Sequence, residues 1–281
     1  MRWTWLAGAL AAAPSAPPAV AESADAAHAS GTEDPTSNRR AAVLADEPAR
    51  TRDYPLTLER DEAVWLEAGE DRSLALFRPV VHGEPRGVLV VLLDQGLGPE
   101  ADSTSVSLRH TMPRYGWATL LVRLPDATAP PADASAPPAD ASAPPADASA
   151  DAERLRRTAI RARLDAAVSV AHQRAGDGAV ILFAERAAAA WAIWSQRNGL
   201  AASALAVVDV DAKSPLIDST RPAEHLRALP GPALVLIEAP RQWSPDDPLS
   251  ADTELQLLPA GDPSGARIER VLRGWIKRRL S

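Results

Sequence analysis

The chain has 281 residues, a formal net charge of -7 and no cysteine. The acidic balance gives no overall attraction to phosphate backbones, so we expect no nucleic-acid binding. The absence of cysteine excludes disulfides, thiolate metal sites, a cysteine nucleophile and a lipid-anchored cysteine.

The N-terminus predicts an exported protein. Arg2 precedes a short apolar run over residues 6–13, and the small residues Ala19 and Ala21 come directly before Glu22. This pattern is typical of a secretory signal peptide, so we expect residues 1–21 to be removed and the protein to reach the periplasm. Residues 22–52 carry almost no large apolar side chains and predict a disordered tether. No later stretch approaches the roughly 18 apolar residues of a membrane span, so we expect none.

Residues 53–281 predict one α/β domain. Two short apolar segments flank the turn-forming residues 69–71 and indicate an antiparallel hairpin over residues 63–67 and 73–78. Continuous apolar runs then alternate with amphipathic segments, which predicts a mostly parallel sheet with helices on both faces. The predicted later strands cover residues 87–93, 117–122, 179–183, 204–208, 233–237 and 254–258. The predicted helices cover residues 107–114, 151–175, 186–197, 221–228 and 265–280.

A low-complexity repeat interrupts this pattern. Residues 129–149 hold three copies of Ala-Pro-Pro-Ala-Asp-Ala-Ser. Paired prolines favour the polyproline II conformation, so we expect a disordered, solvated loop over residues 127–150. Neutral expansion of the repeat in a permissive loop explains it best, and a peptide-recognition motif or an active-site lid is the alternative.

Five short segments carry a resemblance to a known superfamily. They are residues 74–79 (LALFRP), 87–93 (GVLVVLL), 115–120 (YGWATL), 184–191 (AERAAAAW) and 271–275 (VLRGW). Over about residues 60–280, the order of parts resembles the α/β-hydrolase superfamily. More specifically, it is similar to an uncharacterised proteobacterial family of exported proteins, known only as a domain of unknown function. The resemblance implies an α/β-hydrolase fold.

The resemblance also implies where a catalytic triad would lie. In these enzymes a Gly-x-Ser-x-Gly turn, the elbow, presents the nucleophilic serine between a strand and a helix. The matching turn here is residues 184–188, Ala-Glu-Arg-Ala-Ala, with Arg186 at the nucleophile position. Arginine stays protonated at physiological pH and cannot attack a carbonyl carbon.

The other triad positions also depart from the pattern. Glu238 or Asp246 could provide the acid, but residues 259–262 (PAGD) lack the expected histidine base. In the loop that would help to bind the oxyanion, Asp94 and Gln95 precede Gly96, and a carboxylate there repels a developing negative charge. The five histidines fall in the tether, a hairpin loop, and predicted helices or their flanks: His28, His82, His110, His172 and His225.

The degenerate elbow is nevertheless a candidate site. A cation at a helix start opposes the helix dipole, which predicts a salt bridge from Arg186 to Asp94 or Glu185. Alternatively, a ligand carboxylate or phosphate could lie between Arg186 and the helix amides. The candidate anion or ligand site therefore comprises Asp94, Gln95, Glu185 and Arg186.

The sequence predicts neither a cofactor nor a metal. Glycine-rich phosphate loops and zinc spacings are lacking, and the carboxylates Asp209, Asp211 and Asp218 have no paired histidine. The C-terminal cations are best explained by the negative end of a helix dipole: Arg270, Arg273, Lys277, Arg278 and Arg279.

These features favour a non-catalytic pseudo-hydrolase that acts as a scaffold or ligand-binding module, with a protein partner or a small anionic ligand. The alternative is a divergent, esterase-type serine hydrolase with a displaced nucleophile. Ser103, Thr104, Ser105 and Ser107 could supply that nucleophile, although such residues before a short helix commonly cap it.

Overall fold

The structure is a computed structural model. It describes residues 62–69, 71–94, 103–125, 146–211, 214, 216, 222–237, 250–258 and 265–280. The predicted signal peptide and tether, most of the predicted loop, and the residues Gln95, Asp218, Glu238 and Asp246 lie outside this part of the chain, as does the predicted base position at 259–262.

Eight strands form the sheet: β1 Glu62–Ala68, β2 Asp71–Arg78, β3 Gly87–Leu93, β4 Trp117–Arg123, β5 Ala179–Glu185, β6 Ala204–Val208, β7 Ala233–Ile237 and β8 Thr253–Leu257. The helices are α1 Ser103–Thr111, α2 Ala146–Ala175, α3 Arg186–Arg197, α4 Pro222–Arg227 and α5 Gly265–Arg279. A 3-10 turn, Met112–Tyr115, follows α1.

The sheet order is β1-β2-β4-β3-β5-β6-β7-β8. β1 and β2 form the predicted antiparallel hairpin, and β2 pairs antiparallel with β4. All pairings from β4 through β3 to β8 are parallel. The predicted fold class is therefore confirmed.

Helices cover both faces of the sheet, which explains the continuous apolar runs. On one face, Leu164 of α2 and Trp191 of α3 join a core that includes Val90 of β3. On the other face, Leu108 of α1 and Trp275 of α5 pack against the alternate side chains of the same strands. Every residue of β3 is buried as a result.

Two helices begin earlier than the sequence predicts. α2 starts at Ala146 rather than at residue 151, so residues 146–150 of the predicted loop are helical. The paired prolines end at residue 145 and the segment that follows is rich in alanine, the strongest helix former. Among the described residues, no helix combines the length and the apolar composition that a membrane span needs.

α1 starts at Ser103 instead of residue 107, so the Ser/Thr cluster lies in its first turns rather than ahead of the helix. Packing against α5 explains the early start. A Cβ atom added to Gly265 would lie 2.7 Å from the Ser103 carbonyl oxygen and 2.9 Å from the Thr104 Cα atom. This close approach buries Thr104 and Ser105 and lets tertiary packing override local preference.

Two glycines of α5 should respond in opposite ways to alanine. At Gly274 a Cβ atom would lie 3.5 Å from the nearest atom, an Arg278 side-chain nitrogen, so Gly274→Ala should raise the free energy of unfolding by about 0.5–1 kcal/mol. Gly265→Ala should lower it by about 1–3 kcal/mol, because the backbone of α1 is in the way. Urea denaturation measures both values, and a stabilised Gly265→Ala variant would contradict the close helix contact.

Candidate functional site

β5 passes into α3 without a connecting residue. Glu185, the last residue of β5, is extended with φ -120° and ψ 154°, and Arg186 begins the helix with a left-handed φ of 48°. For a residue with a side chain this conformation costs roughly 1–2 kcal/mol. The buried alanines Ala184 and Ala188 on either side hold the turn in place. Arg186 therefore lies at the apex of a sharp strand-to-helix turn, as the resemblance implies for a nucleophile.

The carboxylate of Asp94 binds two groups of this turn. β3 and β5 pair in parallel with Leu92 opposite Ala184, which places Asp94 beside the start of α3. One carboxylate oxygen, Oδ2, lies 3.3 Å from Arg186 Nε, so the predicted salt bridge is confirmed with Asp94 as the partner. The other oxygen, Oδ1, accepts a hydrogen bond of 2.6 Å from the Ala188 backbone N–H.

The bond to the helix amide is the stronger part of this arrangement. The Arg186 side chain is 53% exposed, and ion pairs with such exposure contribute at most about 1 kcal/mol. A carboxylate on a first-turn amide satisfies a donor that has no partner within the helix and contributes about 1 kcal/mol or more. Glu185, at the capping position, makes no side-chain cap hydrogen bond, so Asp94 caps α3 from a neighbouring strand.

Sequence patterns did not reveal this cap. Asp94 and Ala188 are 94 positions apart, and only the β3–β5 register brings them together. The predicted ligand anion would occupy the space where the Asp94 carboxylate already lies between Arg186 and the helix. Ligand binding there stays a prediction, and a ligand would have to displace a covalently tethered anion.

The end of β6 supports the turn from the other side. The Asp211 backbone N–H donates a 3.2 Å hydrogen bond to the Arg186 carbonyl oxygen. Asp209, directly after β6, also has a left-handed φ, 44°, and its N–H donates to the Leu236 carbonyl oxygen. In the part of the chain that the structure describes, no cluster of three His, Asp or Glu residues could hold a metal ion.

The described histidines lie near the opposite edge of the sheet, where the parallel strands begin. His82 precedes β3, and the ring of His172 contacts the carbonyl oxygen of Ala201, shortly before β6, at 2.7 Å. His225 contacts Arg197 at the far end of α3, and 12 residues of helix correspond to about 16 Å between the ends.

The fourth described histidine, His110, lies near the end of α1 and contacts Arg78, which pairs with Thr119 near the start of β4. In addition, the sequence places no histidine in residues 95–102, 126–145, 209–221, 238–249 or 259–264, which follow the ends of parallel strands. The sequence thus supplies no imidazole from the segments that leave the sheet beside the elbow.

The family model for a protein of unknown function, DUF3530, matches residues 4–229. The chain belongs to the DUF3530 family. This agrees with the resemblance to a family known only as a domain of unknown function. No functionally curated protein matches the sequence.

Solved structures with a similar fold include α/β-hydrolases. An esterase domain from Rhodothermus marinus is 11% identical with a TM-score of 0.51, over 79% of this DUF3530 chain and 100% of the other. An alpha-beta serine hydrolase homologue from Coxiella burnetii is 10% identical with a TM-score of 0.52, over 78% and 97%. Est1E from Butyrivibrio proteoclasticus, bound to ferulic acid, is 10% identical with a TM-score of 0.54, over 78% and 99%. At these identities the likeness shows the α/β-hydrolase fold alone.

Replacing Arg186 by glycine or by alanine tests the turn. Both variants lose the ion pair, but only glycine adopts a left-handed φ without strain, so Arg186→Gly should be about 1 kcal/mol more stable than Arg186→Ala. The matched pair at Arg154, an exposed residue inside α2, should show the reverse order, because glycine weakens a helix interior by about 1 kcal/mol. Chemical denaturation compares the four variants, and the same order at both positions would contradict the left-handed apex.

Replacing Asp94 tests the cap. Asp94→Ala removes both contacts and should lower the free energy of unfolding by about 1–2 kcal/mol. Asp94→Asn keeps an oxygen for the Ala188 N–H and should lower it by less. The control Asp177→Ala, at an exposed turn residue, should change it by less than about 0.5 kcal/mol. Equal losses in the two Asp94 variants, measured by urea denaturation, would count against a hydrogen-bonding role.

Proposed function

We propose that this protein carries out no acyl-transfer chemistry and uses its hydrolase fold as a scaffold or ligand-binding module. The supporting observation is the pair of groups at the elbow: a guanidinium at the apex and the Asp94 carboxylate on the first turn of α3. A guanidinium offers no lone pair for attack on a carbonyl carbon at physiological pH.

The Asp94 carboxylate also opposes stabilisation of an oxyanion. Hydrolases of this fold use the backbone N–H after the nucleophile, at the start of the elbow helix, to bind the negative oxygen of the tetrahedral intermediate. In this chain a negative oxygen lies 2.6 Å from the N–H of Ala188 in the same helical turn. A second negative charge would be repelled there, and the repulsion amounts to roughly 4 kcal/mol at 4 Å in a partly buried site.

A displaced serine would also need a base. Ser103 begins α1 on the segment after β3 and is the exposed member of its cluster, whereas Ser105 is buried. The described histidines lie near the opposite edge, so an imidazole to activate Ser103 would have to come from His28 in the N-terminal segment. These observations favour the non-catalytic proposal over the esterase alternative.

We infer that the protein binds its partner or ligand in the periplasm. The predicted signal peptide would direct the domain to the periplasm, and the predicted tether would separate it from the mature N-terminus. In that setting the half-exposed guanidinium of Arg186 offers a contact for an acidic partner or ligand.

A serine-directed fluorophosphonate probe tests the lack of catalysis. The chain from Glu22 onward should not be labelled, and neither should Arg186→Ser, because a serine at the apex would still lack an imidazole. Arg154→Ser adds an exposed serine on α2 and serves as the matched control for background labelling, beside an active esterase as the positive control. Labelling is measured by intact-protein mass spectrometry. Specific modification of one serine in the wild type would overturn the proposal, whereas labelling of Arg186→Ser alone would contradict the lack of a base.

A further inference from the structure

A groove of about 560 Å³ lies at the edge of the sheet where the parallel strands begin, remote from the elbow. The segment before β3, the 3-10 turn before β4 and the C-terminal half of α5 line this open groove. Its lining includes Glu84, Arg86, Arg114, Tyr115, Arg273 and Lys277. The volume falls within the range of pockets that bind small ligands, roughly 300–1,000 Å³.

Backbone contacts fix the frame of the groove. The Val81 N–H donates to the Pro113 carbonyl oxygen at 2.9 Å, and the Arg86 N–H donates to the Gly116 carbonyl oxygen at 2.8 Å. Gly116 has a φ of 84°, and a Cβ atom there would lie 2.6 Å from the Glu84 carbonyl oxygen. Only glycine therefore allows the two segments to meet this closely, and the side chains on them project from a rigid base.

The groove collects positive charge in an acidic protein. Arg273 forms an ion pair in which its Nε lies 2.8 Å from Glu269 Oε1. The central carbon of its guanidinium, Cζ, lies 4.0 Å from the centroid of the Tyr115 ring, so the two groups stack. Arg86, Arg114 and Lys277 are exposed, and none of the ion pairs described for the chain involves them. The end of a helix explains a cation at Lys277 and at Arg114, but not at Arg86, which lies on the segment before β3.

We propose that this groove binds a phosphate group, carried by a small phosphate monoester or by a lipid headgroup. A phosphate carries up to two negative charges and three acceptor oxygens, which can be shared among Arg86, Arg114 and Lys277 on three separate segments. Arginine forks match phosphate geometry, and the exposed ring of Tyr115 offers apolar contact for the organic part of the ligand. An acidic peptide would spread its carboxylates along an extended chain, whereas these cations line a single groove.

Two measurements on the chain from Glu22 onward test the proposal. The first is titration calorimetry with glycerol 3-phosphate, and the second is co-sedimentation with phosphatidylcholine vesicles that contain phosphatidic acid. The double variant Arg114→Gln/Lys277→Gln should bind at least about tenfold more weakly, because each substitution removes a charge-assisted contact. The control Arg267→Gln/Arg270→Gln makes the same change in charge at exposed positions of α5 outside the groove, and should bind like the wild type.

The probes also identify the source of the phosphate. Binding of glycerol 3-phosphate supports a soluble ligand, and binding of the vesicles alone supports a lipid headgroup. Both conclusions require that Arg114→Gln/Lys277→Gln weakens the binding and that the control variant does not. Three results would overturn the proposal: no binding of either probe up to roughly 10 mM phosphate, equal binding by both double variants, or tighter binding of hexaglutamate than of the phosphate probes. The substituted side chains are exposed, and unchanged melting temperatures would verify the fold. Failure here leaves the proposal for the elbow intact, because the two sites lie at opposite edges.

Discussion

The parallel pairing of β3 with β5 is the constraint on which the elbow depends. It places Asp94 at the start of α3, where one carboxylate oxygen accepts from the Ala188 N–H and the other faces the Arg186 guanidinium. The cation at the apex opposes the helix dipole, and the carboxylate compensates for it while satisfying a helix amide. Asp94 thus supplies the anion that this helix start attracts, and the turn keeps its left-handed apex without the serine.

The two edges of the sheet have different chemistry. At the elbow, the described residues include the carboxylates of Asp94 and Glu185 and the guanidinium of Arg186, and the sequence supplies no histidine from the segments that leave the sheet at this edge. The opposite edge collects Arg86, Arg114 and Lys277 around a groove with a rigid backbone frame. The phosphate site that we propose therefore lies at the edge opposite the one where enzymes of this fold carry their catalytic residues.

The sequence predicts the elements best where burial dictates the residue type. The bounds of β3, β6, β7 and α3 are confirmed residue for residue, because uninterrupted apolar runs or a Glu-Arg step mark them. The starts of α1 and α2 are missed, since tertiary packing and alanine content decide them. The Arg186–Asp94 pair can be predicted from electrostatics. The contact of Asp94 with the Ala188 N–H depends on the register of β3 and β5, and the groove depends on how three separate segments pack. Local sequence patterns encode neither of these.

The early start of α2 also bears on how this gene can vary. The helix begins at Ala146, so its first four residues, Ala-Asp-Ala-Ser, are the end of the third repeat copy. Every copy ends in the same four residues, so a copy gained or lost by slippage during replication leaves the residues ahead of position 150 unchanged. Strains that differ in the number of repeat copies would therefore share one helix start, and the number of copies would not affect the folding of the domain.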